Sequence, residues 1–295
     1  MGATILKAEC VLACANRLGE VPIWCGERRA LFWVDVRGPA IHRLEPSTGA
    51  LASWPMAQLV GSIALAGGGR LLAALQRGFH LVDLDSGATT LLVDPEPDQP
   101  EHRLNDGRCD RAGRFWCGSM NDVRRDPEGI LYRLDEPKGL TRHLDGIIIP
   151  NGLCWSPDNR TMYFADTRKY HILAFDFDFD DGMISRPRLL VDFGTGPNRP
   201  DGSTVDADGC VWNAEMAAGR VVRYTPRGVV DTIVELPTSQ PTAVTFGGDD
   251  LRTLYITTAA QNLSAEQLAR EPLSGGLFAV RAGVAGLPEP VFGGR

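Results

Sequence analysis

Six stretches of this chain repeat one grammar. "RRALFWVDVRGPAIHRLEPSTG", "GGRLLAALQRGFHLVDLDSG", "AGRFWCGSMND…GILYRLDEPKG", "NRTMYFADTRKYHILAFDFDFDDG", "DGCVWNAEMAAGRVVRYTPRG" and "LRTLYITTAA…GGLFAVRAG" each run turn, strand, break, strand, turn. Trp33, Ala73, Trp116, Tyr163, Trp212 and Tyr255 hold matching places, separated by 40, 43, 47, 49 and 43 residues. Repeats of about 40–50 residues, built from short aliphatic and aromatic runs punctuated by Gly, Pro and Asp, mark four-stranded blades. Six copies account for nearly all 295 residues, so the predicted fold is all-β: a six-bladed β-propeller, one domain spanning 1–295. "ATILKAECVLA" near the N-terminus is strand-like but has no repeat of its own. It is expected to complete the last blade and leave no unpaired sheet edge at the seam. Helical periodicity is confined to "NLSAEQLAREPL" (262–273), where Ser264 can cap a short inserted helix with Glu266 and Gln267 in its first turn. "DPEPDQPEH" (94–102) reads as a loop between repeats.

Composition narrows the function classes. With 43% hydrophobic and 23% charged residues, the chain is of the soluble globular kind. A net charge of −7 argues against a nucleic-acid binder, which needs a basic surface to displace phosphate counterions. No apolar run reaches the ~18 residues of a membrane span, and "MGATILKAEC" lacks the features of a secretory signal. Gly2 is not in a myristoylation motif, because position 6 is Leu6. The expected location is cytoplasmic, without a membrane partner. Seven cysteines without a Cys-x-x-Cys pair imply neither a disulfide framework nor a thiolate zinc site. Cys109, Cys117, Cys154 and Cys210 sit in strand-like stretches and read as small core hydrophobes.

In a propeller the first strand of every blade lines the central channel, so matching positions in successive repeats form a ring. The position just before each first strand is Glu20, Gly61 or Ser62, Asn105, Asn151, Asp201 and Gln240. Five of the six can supply an oxygen ligand. Two carboxylates and two amide oxygens converging on one axis make a hard-cation site. Gly107, Gly152 and Gly202, which follow closely, are expected to leave room for a ligand. A single Asn-Gly or Asp-Gly is usually only a turn; three in register, joined by Glu20, point to a site.

These motifs are long and correctly ordered. From "LGEVPIW" through "RLNDGRCDRAGRFWCGSM", "PNGLCWSPDNRTMYFADT" and "RPDGSTVDADGCVW" to "SQPTAVTFGGDDLRTLYITTA", the chain resembles the senescence marker protein/gluconolactonase/regucalcin family. The resemblance implies that Glu20, Asn151 and Asp201 hold one divalent metal ion, Ca²⁺ first, with Zn²⁺, Mn²⁺, Mg²⁺ or Fe²⁺ as alternatives. It further implies that Arg103 and Asn105 face the oxygens of a small-molecule sugar lactone. Two departures stand out: "GSMNDVRRD" replaces the glutamates of mammalian members, leaving Asp122 as the candidate substrate contact, and Val21 replaces the glycine of the family's "EGP". Lactone hydrolysis needs a polarised carbonyl, a deprotonated water and a stabilised oxyanion; a metal serves as Lewis acid and Asp201 is the candidate general base.

Other signals carry less. "DFDFDDG" (176–182) has the aspartates of a calcium loop but Pro187 in place of its glutamate, so a strand entering a hairpin is expected. No Gly-x-Ser-x-Gly elbow occurs, and the histidines lack zinc or triad spacing. "AGGGR" (66–70) reads as a hairpin turn. Trp24, Trp155 and Trp212 are expected between blades, while Trp54 or Trp116 is a candidate wall for a sugar site. Two functions compete with lactone opening: hydrolysis of organophosphates or aryl esters on the same metal, through a more aromatic mouth, and a non-catalytic calcium-binding propeller that binds protein.

Overall fold

A computed structural model describes residues 2–136 and 138–294. Among the described residues six sheets, each with an antiparallel four-stranded core, follow one another along the chain. Their first strands are Gly19–Cys25, Val60–Ala66, His102–Cys109, Pro150–Trp155, Arg199–Val205 and Pro241–Gly247. Each of these touches the first strand of the sheets before and after it, closing a ring around a central axis. The blades are numbered one to six in this order, and the architecture is the six-bladed propeller that the repeat implies.

Burial explains why the repeats read as they do. The second strands "ALFWVD" (Ala30–Asp35) and "FWCGSMN" (Phe115–Asn121) are buried at every position, because neighbouring blades cover both faces. Outermost strands such as "TTLLV" (Thr89–Val93) stay largely exposed. Trp33, Trp116 and Trp212, at matching repeat positions, are fully buried and fill the wedge that widens away from the axis.

The seam is tied more heavily than expected. Glu9–Leu12 does take the outermost place in blade six, against Leu277–Arg281. Thr4–Lys7 instead extends blade five as a fifth strand, parallel to Val230–Glu235. Ala8, buried where the two meet, lets one segment staple two blades. At the other terminus Val291–Phe292 pairs in parallel with Leu65 and Ala66 of blade two.

The short helix Ala265–Arg270 is capped as expected: the Ser264 side chain accepts from the Gln267 N–H while Gln267 returns the bond to the Ser264 backbone. "DFDFDDG" is a strand entering a hairpin. Carbonyls of Phe179, Asp181 and Gly182 accept from Arg114 and Arg133, so guanidinium groups occupy that side of the turn. Trp116 is fully buried and donates to Asp110. Trp54, on the outermost strand of blade one, donates to Leu84 O at 3.0 Å. The expectation that one of them walls a sugar site is therefore corrected. All seven cysteines are free. Among the described residues no helix is long and apolar enough to cross a membrane.

Candidate active site

The hub residues lie within the inner strands, not just before them, and a recurring irregularity aims them. Ladder register shifts between Glu20 and Ile23, Leu104 and Gly107, Asn151 and Cys154, and Pro200 and Ser203. Blades two and six carry the same device at Val60/Ser62 and Pro241/Ala243. A bulge adds a residue to one strand, bends it and re-aims a side chain. Six copies at one end of the channel give every inner strand an entry residue outside the normal alternation.

Not every ring position turns a polar group toward the hub. Ser62 is fully buried, its Oγ 3.7 Å from Cys117 Sγ. Gln240 turns its amide to the carbonyls of Ala259 and Gln261. Blades one, three, four and five supply the rest. Asn105 donates Nδ2 to Pro150 O at 2.7 Å and to Asn151 Oδ1 at 3.1 Å. Arg103 Nη1 donates to Asn105 Oδ1 at 2.6 Å. Asn151 Nδ2 passes the chain to Thr167 Oγ1 (2.7 Å), which donates to Pro200 O (2.8 Å) beside Asp201. Asn213 Nδ2 holds the Asp201 carbonyl at 2.8 Å. One network thus fixes the side-chain angle of Asn151 and the backbone on either side of Asp201.

The acids at the hub have no comparable support. Asp201 is 2% exposed, yet its Oδ1 has no hydrogen-bond partner among the described residues. Burial, then the charges of Glu20 and Asp106, push its carboxyl well above the usual range. Burial and Asp106 push Glu20 up to about 8. Asp106, absent from the sequence reading, is the third acid facing this space; burial raises it too, against Arg108 and the Leu153 N–H. Its signal was the Asn105–Asp106 pair itself, because the bulge between Leu104 and Gly107 turns both residues out of the ladder.

Buried like charges that raise one another's proton affinity, beside an orphaned carboxylate oxygen, fit a bound cation. Glu20, Asn151 and Asp201 offer two carboxylates and an amide oxygen to it. Among the described residues no three Asp, Glu, His or Cys side chains gather into a metal cluster. The mixed donor set, with its amide, suits a hard cation better than a thiolate or imidazole metal.

Arg108 lies close enough to Asp106 for its charge to act on that carboxyl. Its guanidinium pairs with Glu289 of the C-terminal segment at 3.0 Å and donates to Ser203 O and Thr245 Oγ1. Gly107, Gly152 and Gly202 serve packing rather than open room. A Cβ on Gly202 would lie 2.4 Å from Ala243 Cβ, and Gly107 is similarly hemmed in by Phe115 and Trp116. Gly152 has φ +68°, the left-handed region its bulge requires. Val21 has φ +45°. A β-branched residue there is strained by about 1–3 kcal/mol, next to Glu20.

Asp122 stands on the same face, at the end of the second strand of blade three. It accepts from Arg103 Nε at 2.9 Å and from Arg37 at 2.8 Å, and pairs with Arg125 at 3.0 Å. Burial would raise its carboxyl, but Arg103 and Arg37 outweigh that and hold it below the usual range. Arg103, 4% exposed, therefore links Asp122 to the Asn105–Asn151 pair.

Known proteins bear on this geometry over the whole chain. A family model described as SMP-30/gluconolactonase/LRE-like region matches residues 18–260. The chain is 38% identical to a 6-deoxy-6-sulfogluconolactonase of Pseudomonas putida, over 97% of this chain and 98% of that one. It is 37% identical to an L-arabinolactonase of Azospirillum brasilense, over 95% and 93%. Among solved structures it superposes on a calcium-binding protein, regucalcin, from Agrobacterium tumefaciens with TM-score 0.95, 28% identity and 99% coverage of both chains. The chain belongs to the SMP-30/gluconolactonase/LRE-like family.

Proposed function

We propose that this enzyme is a hydrolase of the lactonase class that opens a sugar lactone to the aldonic acid, with Asp201 as general base and one divalent cation held by Glu20, Asn151 and Asp201. The class rests on the family and on full-length relatives named as lactonases. The observation that carries the mechanism is the buried, unpartnered Oδ1 of Asp201 at the hub. When bound, the cation supplies Lewis acidity toward the carbonyl oxygen and makes ionisation of the surrounding carboxylates favourable. Ca²⁺ is the leading candidate, given the oxygen-only donors and the calcium-binding neighbour.

The protein's own groups do the rest. One oxygen of the Asp201 carboxylate takes a proton from water as the water oxygen bonds to the lactone carbonyl carbon. The ring C–O bond then breaks, and the same oxygen returns the proton to the departing ring oxygen. The products are a hydroxyl and a carboxylic acid, so atoms and charge balance. Such a base is worth about 10²–10⁴-fold in rate. Arg103 and Asn105 hold Asn151 at its angle, and the remaining Arg103 hydrogens are available to sugar hydroxyls. Asp122 reaches substrate only through or beside its arginines.

The test uses metal-stripped protein offered pentono- and hexonolactones, with acid release followed before and after addition of Ca²⁺, Mg²⁺, Mn²⁺, Zn²⁺ or Fe²⁺. Turnover should require a cation and should disappear in Asp201→Asn. Equal rates in stripped and loaded protein would overturn the metal reading. Cleavage of paraoxon or phenyl acetate with no lactone opened would favour the ester-hydrolase alternative, which loses support here because Trp54 and Trp116 are both committed elsewhere.

A further inference from the structure

We infer that the ion pair of Arg108 and Glu289 sets, from beneath, how tightly the hub holds its cation: the guanidinium inside the channel weakens binding, and Glu289 restores part of it. The inference rests on the cation reading of the hub and assigns its control to two residues outside the donor set.

Topology places the guanidinium. Arg108 belongs to the inner strand of blade three, yet its Nη2 donates to Thr245 Oγ1 on the inner strand of blade six at 3.2 Å. Its Nη1 donates to Ser203 O on the inner strand of blade five at 2.7 Å. The inner strands contact one another in ring order, which puts blades three and six on opposite sides of the axis. A side chain that reaches from one to the other lies across the channel. Its height follows from the ladder. Arg108 and Ser203 each come two residues after a hub acid, Asp106 and Asp201. A strand rises about 3.3 Å per residue, so both stand about 7 Å below the level of those acids. A void of about 10 Å³ touches Val21, Asp106, Arg108, Gly202 and Ser203, the neighbourhood that joins the two levels. It has room for one water at most, so bulk solvent does not screen the charge there.

The charge is also held in place. Nε and Nη2 of Arg108 fork onto the Glu289 carboxylate at 3.0 and 3.1 Å, and the two side chains are only 12% and 8% exposed. Glu289 comes from the segment that follows blade six, and that segment is fixed on both sides. Ala285 O accepts from the Ala207 N–H and the Gly286 N–H donates to Leu251 O, while Val291–Phe292 pairs with blade two. The other charged groups nearby do not cancel the guanidinium. Arg111, on which the charges of Glu289 and Arg108 both act, adds to the positive side, and Asp110 is answered by Arg114.

A buried ion pair is weak evidence for a stabilising role, because apolar side chains of the same size often serve as well. Its position gives it another consequence. A unit charge poorly screened from a divalent ion roughly 10 Å away changes that ion's affinity by about tenfold. Glu289 is the farther of the two, so its effect is smaller and opposite. A pair that only braced the channel would weaken cation binding whichever member was removed; an electrostatic pair moves it in opposite directions.

The experiment titrates metal-stripped wild-type protein and folded variants with Ca²⁺ by calorimetry at pH 7 and low salt, with melting temperatures reporting the fold. Glu289→Gln should weaken binding about fivefold, Arg108→Gln should tighten it about tenfold, and the double variant should fall between them. Glu289→Asp keeps the charge and should stay within about twofold of wild type; its contrast with Glu289→Gln decides the question if Arg108→Gln does not fold. Each shift should be about half as large again on a logarithmic scale for Tb³⁺, because the interaction grows with ionic charge. Weaker binding in both single variants, equal affinity in Glu289→Gln and Glu289→Asp, or shifts of one size for both ions would overturn the inference and leave the cation reading standing. No cation binding by the wild-type protein would overturn both.

Discussion

Two aspartates on one strand of blade five, at opposite ends of the channel, receive opposite treatment. Asp206, just past the strand's lower end, is fully buried and completely answered. Its Oδ1 accepts from the N–H groups of Asp208 and Cys210, and its Oδ2 from Trp212 Nε1 at 2.8 Å and Arg223 Nε at 2.7 Å. Asp201, at the upper end, is 2% exposed with an oxygen that finds no hydrogen-bond partner among the described residues. Blade three shows a milder contrast: Asp110 is held by Arg114 and Trp116, whereas burial raises Asp106 against Arg108 and backbone N–H groups alone. A cleft of about 640 Å³ between blades one, two and six lies at the lower end, and two of its three acids, Asp249 and Glu289, are paired with Arg29 and Arg108. Asp206 and Asp110 hold the fold together, whereas Glu20 and Asp201, buried beside Asp106 at the mouth of the channel, have their proton affinity raised by acidic neighbours, the condition under which carboxylates bind cations or move protons.

Exchanging the two aspartates' fates is the sharpest way to break this contrast. Asp201→Asn should cut lactone turnover by about 10²–10⁴-fold while leaving the melting temperature unchanged or higher, as measured by steady-state kinetics and thermal unfolding. Asp206→Ala should do the reverse. Removing one partner of a buried ion pair costs about 3–5 kcal/mol, so urea unfolding should show a large loss of stability. If Asp206→Ala unfolded normally, the division of roles would fail.

The upper acids also set a pH dependence. In the metal-free protein Glu20 holds its proton up to about 8, above its unfolded-state range. The folded chain therefore binds more protons than the unfolded chain between the ordinary glutamate range and about 8, and stability falls as pH rises through that window. The melting temperature of stripped protein should drop by roughly 5 °C from pH 5 to pH 8, and Glu20→Gln should flatten the slope. Added cation should restore stability at pH 8 by mass action. A smaller effect is expected from Asn105→Ala, which removes the bond orienting Asn151. Cation affinity should weaken by about 10–100-fold, readable by titration, with the fold retained.

Much of this was legible in the sequence, because a propeller writes its geometry as a period. Trp33, Trp116 and Trp212 recur at blade spacing since each fills the same wedge, and Ser264 with Gln267 spelled out a cap in four residues. The repeating register put Glu20, Asn151 and Asp201 in one ring with Asn105 and Gln240, and it was the family resemblance that singled out those three. The misses share a cause: they depend on what meets across the ring. Arg108 and Glu289 are 181 positions apart, and Arg37 reaches Asp122 from a blade two removed. Asp106 hid behind Asn105, because which of two adjacent residues enters the channel is decided by a bulge that no periodicity announces. Gln240 had the right place and the wrong direction, since nearby carbonyls of Ala259 and Gln261 capture its amide.

The most direct measurement is calorimetric titration of metal-stripped protein with Ca²⁺ and with Mn²⁺ near pH 7, in buffers of different ionisation enthalpy. One cation should bind per chain with release of protons from the hub carboxylates, and both the binding and the proton release should be lost in Glu20→Gln and Asp201→Asn. Binding without proton release, or binding unchanged in those two variants, would contradict the assignment of this hub as the cation site.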